Sequence, residues 1–201
     1  MDVKPSRARG RPSTGAREAV VEAAHALFLE RDYDEVSTEE ILARSGVSRG
    51  AMYHHFPTKL DLFETVYEES ELRVLGLVAA ELGAARDPFE ALLLGARAYL
   101  RQAETNPELR RIGLGQSRAV LGWSRWREVA SSLGLGVVRE MVRAAIAAGQ
   151  ISPRDPETTA QILLGALIEA AMLVSVAADP RAARESSEAV VVELIEGLRA
   201  G

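Results

Sequence analysis

The 201-residue chain contains no cysteine, which excludes disulfide scaffolds, thiolate metal sites and cysteine nucleophiles together. Histidine is scarce: His25 stands alone and His54 and His55 are adjacent, with no His-Glu-x-x-His helix, G-x-S-x-G elbow or phosphate-binding loop anywhere. An enzyme built on this chain needs a site made of carboxylates alone, so the expectation is a non-enzyme with no cofactor and no metal. No unbroken apolar run with a small-residue cleavage site follows the basic amino terminus. The most apolar stretch, Ile162–Ala178, is about 17 residues long with Glu169 at its centre, against the ~20 a bilayer span needs. The expected location is the cytoplasm, with no membrane partner. Strand-like alternation is lacking as well.

What is present suits a folded protein. Hydrophobic residues make up 47% and charged residues 26%, enough to bury a core, and the length allows one large domain or two small ones. The net charge of -5 hides an asymmetry: Lys4, Arg7, Arg9, Arg11 and Arg17 face only Asp2 in the first 17 residues. A second acid-free stretch, Ile41–Leu60, holds Arg44, Arg49, His54, His55 and Lys59. A polyanion responds to such local patches rather than to the sum.

Between proline and glycine punctuation, apolar residues recur at helical spacing. Val20, Ala24, Leu27 and Phe28 place a helix over about Ser13–Arg31. Ser37 with Glu40 forms a capping box, with Val36 and Ile41 as its staple, opening a helix over Thr38–Arg44. Gly46 suits a left-handed turn, and Ser48 caps a third helix, Arg49–His55, with Val47 and Met52 as staple. Thr58 and Asp61 open a long fourth helix reaching about Leu82. Further helices are expected near Pro88–Glu104, Pro107–Val120, Ser124–Ala148, Pro156–Ala178 and Arg181–Arg199.

Two short helices joined by Ser45-Gly46-Val47 have the spacing of a helix-turn-helix, with the second as reader. Its first turn offers Ser48, Arg49, Gly50 and Ala51, small residues around one arginine, which lets the helix enter a major groove while Arg49 reaches a base edge or phosphate. Tyr53, His54 and His55 suit phosphate contacts, although Tyr53 also reads as a half-buried core aromatic and Arg49 as a solvated surface charge. Lys59 in a helical first turn opposes the macrodipole, which a bound phosphate relieves. A dimerising helical protein without DNA is the competing reading, and it leaves Lys59 and the basic arm without a role.

The run Val36-Ser37-Thr38, Ile41, Ala43, Gly46-Val47-Ser48, Gly50, Tyr53, His55-Phe56, Lys59 and Leu62-Phe63 resembles the DNA-binding domain of the TetR/AcrR family of bacterial regulators. Phe28-Leu29-Glu30-Arg31-Asp32-Tyr33 agrees with it too. The likeness covers about residues 17–67 in motifs and the remainder in helix layout. It implies an all-α protein: a basic arm over 1–15, a three-helix helix-turn-helix DNA-binding domain over 16–60, and a larger helical effector-binding and dimerisation domain over 61–201. It implies a cytoplasmic homodimer on a palindromic double-stranded operator, a repressor released by an unidentified small molecule, with an activator or a ligand-independent regulator of the same fold as alternative. Phosphate contacts fall on Thr38, Tyr53, His55 and Lys59, base reading on Arg49, Gly50 and His54, either role on Arg44, and Ser48 stands at the reader's start. Arg7, Arg9, Arg11 and Arg17 add arm contacts.

In the body, Phe89, Leu93, Tyr99, Gln116, Trp123, Trp126 and Glu169 offer an apolar lining with polar anchors for an effector. Two tryptophans three apart on a helix are more often core residues than pocket residues. Glu169 faces a pocket, an interface or solvent, and if inward it favours a cation or hydrogen-bond donor. Leu167, Ala170, Ala171, Val174, Val191, Leu194, Ile195 and Leu198 are expected to build a helical interface between subunits.

Overall fold

A computed structural model describes residues 13–200, and all regular elements among them are helical apart from one isolated bridge. In chain order they are α1 (Ser13–Glu30), a 3-10 turn at Tyr33–Glu35, α2 (Thr38–Ser45), α3 (Arg49–His55), α4 (Lys59–Leu82), α5 (Pro88–Thr105), a π-helical stretch Leu109–Gln116, α6 (Ser117–Ala147), α7 (Pro156–Val176) and α8 (Pro180–Glu196). The division between two compact units falls between Val66 and Tyr67, inside α4.

In the first unit α1 turns Val20, Ala24, Leu27 and Phe28 inward, as its spacing dictates. Phe28 meets Phe63 edge-on at 5.1 Å, and Tyr33 packs on both rings, at 5.8 Å from Phe28 and 5.2 Å from Phe63. The two fully buried rings, Phe28 and Phe63, contribute about 1.5–3 kcal/mol each.

The second unit is a helical body. Its core takes Leu92, Ala96, Leu100 and Ala103 from α5, Val142 and Ala145 from α6, Ala160, Ala171 and Val174 from α7, and Val191 and Ile195 from α8. Asp87, Asp155 and Asp179 cap α5, α7 and α8, each just before a proline in the first turn, where the missing N–H costs nothing. Ile151 pairs with Arg199 in an antiparallel bridge, tying the α6–α7 turn to the chain that follows α8.

Two expectations are corrected. The helix expected over Pro107–Val120 is a π-helical stretch running into α6, and hydrophobic spacing carries no signal for the extra residue in each hydrogen-bonded ring. The expected break between Val120 and Ser124 is present, as a kink in α6 at Gly122, φ +75°. The apolar helix α7 runs for 21 residues, long enough by length and composition to cross a bilayer, so its length does not exclude a span. It packs on α5, α6 and α8.

Candidate nucleic-acid interface and effector pocket

The reader helix is set by local chemistry. The Glu40 N–H donates to Ser37 Oγ at 3.2 Å, and the Ser37 N–H and hydroxyl both donate to Glu40 Oε2 at 2.8 Å. Those bonds, the backbone one foremost, with Arg31 at 2.7 Å, hold the Glu40 carboxyl down at about 2. Gly46 turns at φ +66°, in the left-handed region that favours glycine, and its N–H closes on Leu42 at 3.0 Å. Ser48 Oγ then accepts the Ala51 N–H at 3.3 Å. Met52 of α3 and Phe56, the residue that ends it, are buried with Ile41 and Val36. That anchoring turns Arg49, Gly50, Tyr53 and His54 to the opposite, exposed side.

Several of the candidate residues have partners within the chain. Arg49 ion-pairs with Glu39 across the turn, and the Thr38 hydroxyl donates to the same carboxylate at 3.0 Å. Arg44 pairs with Glu30 of α1 at 2.9 Å. Exposed pairs of this kind are worth about 0–1 kcal/mol, so a phosphate competes for either arginine. His55 is half-buried, its ring 5.3 Å from that of His54. Lys59 needs no phosphate to offset the macrodipole: its ammonium donates to the Tyr33 carbonyl and sits 3.9 Å from the centroid of the Tyr33 ring. Burial there pushes its pKa down, against the pull of Asp34 and Glu40. Arg17, grouped with the arm on charge alone, belongs to α1 and lies over the Phe56 ring at 5.6 Å. Arg7, Arg9 and Arg11 lie outside the described residues.

The body holds a partly open cavity of about 90 Å³, room for about half a dozen waters. Tyr99 and Trp126 line it, as expected. Phe89 and Leu93 do not; they are core residues, and Phe89 is covered by Arg199 at 3.9 Å while its N–H donates to Gln150 at 3.2 Å. Gln116 is buried away from the lining. Trp123 is 54% exposed, with Arg118 at 4.9 Å and Arg127 at 5.7 Å over its ring, while Trp126, one turn further on the same side of α6 with its ring 5.4 Å away, is buried. Glu169 is exposed, while its neighbours Ala166, Leu167 and Ile168 reach the cavity.

Sequence reasoning missed Glu71, a carboxyl on the cavity wall that is only 7% exposed. Burial, then Glu108, pushes it up to about 7. The signal was there: Glu71 follows Tyr67 by four and precedes Val74 and Val78 by three and seven, a charge inside α4's apolar stripe. Its Oε1 lies 2.6 Å from where a Cβ on Gly113 would stand, so the π-helical stretch meets α4 through bare backbone.

The interface candidates divide by their burial in the single chain. Ala170, Ala171, Val174, Val191 and Ile195 are buried in the body's own core, and Leu167 and Leu198 pack against it. Leu194 is half exposed. The apolar residues left uncovered on α7 and α8 are Ile162, Leu173, Val176, Val190 and Leu194. An almost wholly apolar α7 offers no polar face by which spacing alone could tell its inner side from its outer.

A capped helix-turn-helix with its reader face exposed, followed by a larger helical body, defines a DNA-binding transcriptional regulator. Residues 20–66 match the bacterial regulatory proteins of the tetR family, and residues 89–198 match the tetracyclin repressor-like C-terminal domain. The chain belongs to the tetR family. It is similar to the transposon Tn10 TetC protein of Escherichia coli, 24% identical over 150 residues and covering 74% of each chain. It is 36% identical over 83 residues to the HTH-type transcriptional repressor BepR of Brucella suis biovar 1, covering 41% of this chain but only 32% of that one. A TetR-family transcriptional regulator from Pectobacterium atrosepticum shares the fold at a TM-score of 0.83 and 29% identity, over 96% of this chain and 99% of that one.

Proposed function

We propose that the protein is a repressor that binds a palindromic operator as a homodimer and leaves it when a small molecule occupies the body cavity. The observation that carries this reading is the composition of α4. One continuous helix supplies Leu62 and Phe63 to the buried core of the first unit and Tyr67, Glu71, Leu75 and Val78 to the cavity wall. A ligand on that wall shifts the DNA-binding equilibrium by its differential affinity for the two states. The repressor name of BepR supports the sign of regulation.

A single seven-residue reader covers too few bases alone, and the uncovered Leu173, Val176, Val190 and Leu194 are an apolar face for a second copy. Two readers about 34 Å apart then match one turn of duplex. The protein works where DNA is, inside the cell, and its regulatory role needs no catalysis. Thr38, Tyr53, His55 and Arg44 hold phosphates, while Arg49, Gly50 and His54 read bases, with the arm adding screened contacts.

The test is a footprint on the DNA flanking the coding region. Protection of an inverted repeat by the dimeric form, lost on adding an effector, is the expected result. Tight sequence-specific binding by a monomer overturns it.

A further inference from the structure

We propose that the body cavity takes a lipophilic organic amine, with its protonated nitrogen on Glu71 and its hydrocarbon against Leu75, Leu92, Trp126 and Leu167. This rests on reading the cavity as the effector site and names the ligand class. Four observations lead there. Glu71 is the one ionisable acid on the lining, and no lysine, arginine or histidine shares it. Among the described residues none hydrogen-bonds or ion-pairs with its carboxyl, although the side chain is 7% exposed. The bare backbone of Gly113 makes the room in which Oε1 sits. The rings of Tyr67, Tyr99 and Trp126 line the same space.

Each ligand class meets this wall differently. An anion finds no cation and is repelled by Glu71 and by Glu108, whose own charge is taken up by Arg73 at 3.0 Å. A pure hydrocarbon strips the last water from a carboxyl that has no partner, which costs about 1–3 kcal/mol. A protonated amine supplies a charge-assisted hydrogen bond in a low-dielectric site and meets aromatic rings that attract cations. The space suits about ten non-hydrogen atoms, one ring or a short chain beside the nitrogen.

The groups around Glu71 set the proton balance. They are Tyr67 on its own helix and Tyr99 on α5, both raised by burial and then by Glu71, together with Glu108 before the π-helical stretch. With the carboxyl near 7, an ammonium must displace its proton. Affinity should rise about fivefold from pH 6 to 7 and less than about twofold from 7 to 8, with close to one proton released at pH 6.

The test uses titration calorimetry on the full chain with three probes of matched size: 4-phenylbutylamine, 4-phenylbutanol and 4-phenylbutyrate. Repeating the amine titration in buffers of different ionisation heat counts the protons. The expected outcome is amine tightest and butyrate weakest in the unmodified protein, with proton release on amine binding. Glu71→Gln should lower amine affinity at least tenfold and leave the alcohol unchanged. The alcohol binding as well as the amine, no proton released, or an amine affinity indifferent to Glu71→Gln each overturns the proposal while the cavity reading stands. If none of the three binds, both fall. The proton count needs no variant, so it decides even if Glu71→Gln folds poorly.

Discussion

The ammonium of Lys59, in the first turn of α4, lies 3.9 Å from the centroid of the Tyr33 ring and donates to the Tyr33 carbonyl. A residue that reads in the sequence as a free cation awaiting phosphate is thus also a strut of the first unit's aromatic cluster, since Tyr33 packs on Phe28 and Phe63. Lys59→Met keeps the stem and removes the charge. It should cost about 0.5–1 kcal/mol of stability, read by chemical denaturation. If Lys59 also reaches DNA, the same change lowers the salt slope of binding by about one unit on operator and scrambled DNA alike. An unchanged slope leaves Lys59 with the structural role alone.

Arg49 is held by Glu39 on the exposed side of the reader. Arg49→Ala should lose about 1–3 kcal/mol of discrimination at one base step, measured on operator variants. Glu39→Gln releases the arginine and removes a nearby negative charge, so binding to all sequences should tighten. Equal losses on operator and scrambled DNA for Arg49→Ala would reassign it to the backbone.

Stability should depend on pH through Glu71. Its carboxyl titrates at about 7 when folded and near 4.5 when exposed, so the unfolded chain holds fewer protons between those values and stability falls as pH rises through them. Glu71→Gln removes that fall. The variant's advantage over the unmodified protein should be absent below pH 4, grow to about 3 kcal/mol near pH 7 and level off above, followed by urea unfolding across the range.

Neighbouring residues on α7 should separate assembly from folding. Val176→Glu and Leu173→Glu change exposed positions and should dissociate the dimer while leaving the melting temperature of the monomer nearly unchanged. Val174→Glu places a charge in the core and should unfold the body outright. Sedimentation with circular dichroism reads both; dimers that survive Val176→Glu and Leu173→Glu together would place the interface elsewhere.

The parts that were legible in the sequence are those encoded over three or four residues. Ser37 with Glu40, the left-handed Gly46 and the cap at Ser48 mark helix ends whoever the neighbours are, and the reader face follows from Met52 and Phe56 being apolar. The body resisted for two reasons. An almost wholly apolar helix such as α7 does not announce which side meets its own core, so in sequence Ala170 and Val174 read as interface residues and Leu173 does not stand out. The cavity wall depends on which residues of α4, α6 and α7 converge, and Trp123 and Trp126, whose rings touch, differ in burial through packing that no local pattern contains. Glu71 was readable in principle, because an acid in an apolar stripe departs from the helix's own rule.

The π-helical stretch carries more chain than an α-helix uses for the same rise, since each of its hydrogen bonds spans one residue further. A one-residue deletion between Leu109 and Gln116 should be absorbed by a return to α bonding, with Trp126 and the remainder of α6 kept in register. The same deletion inside α5 swings every later side chain by about 100° around the axis. Deletions in this one stretch therefore reshape the wall opposite Glu71 and leave the surrounding body in place.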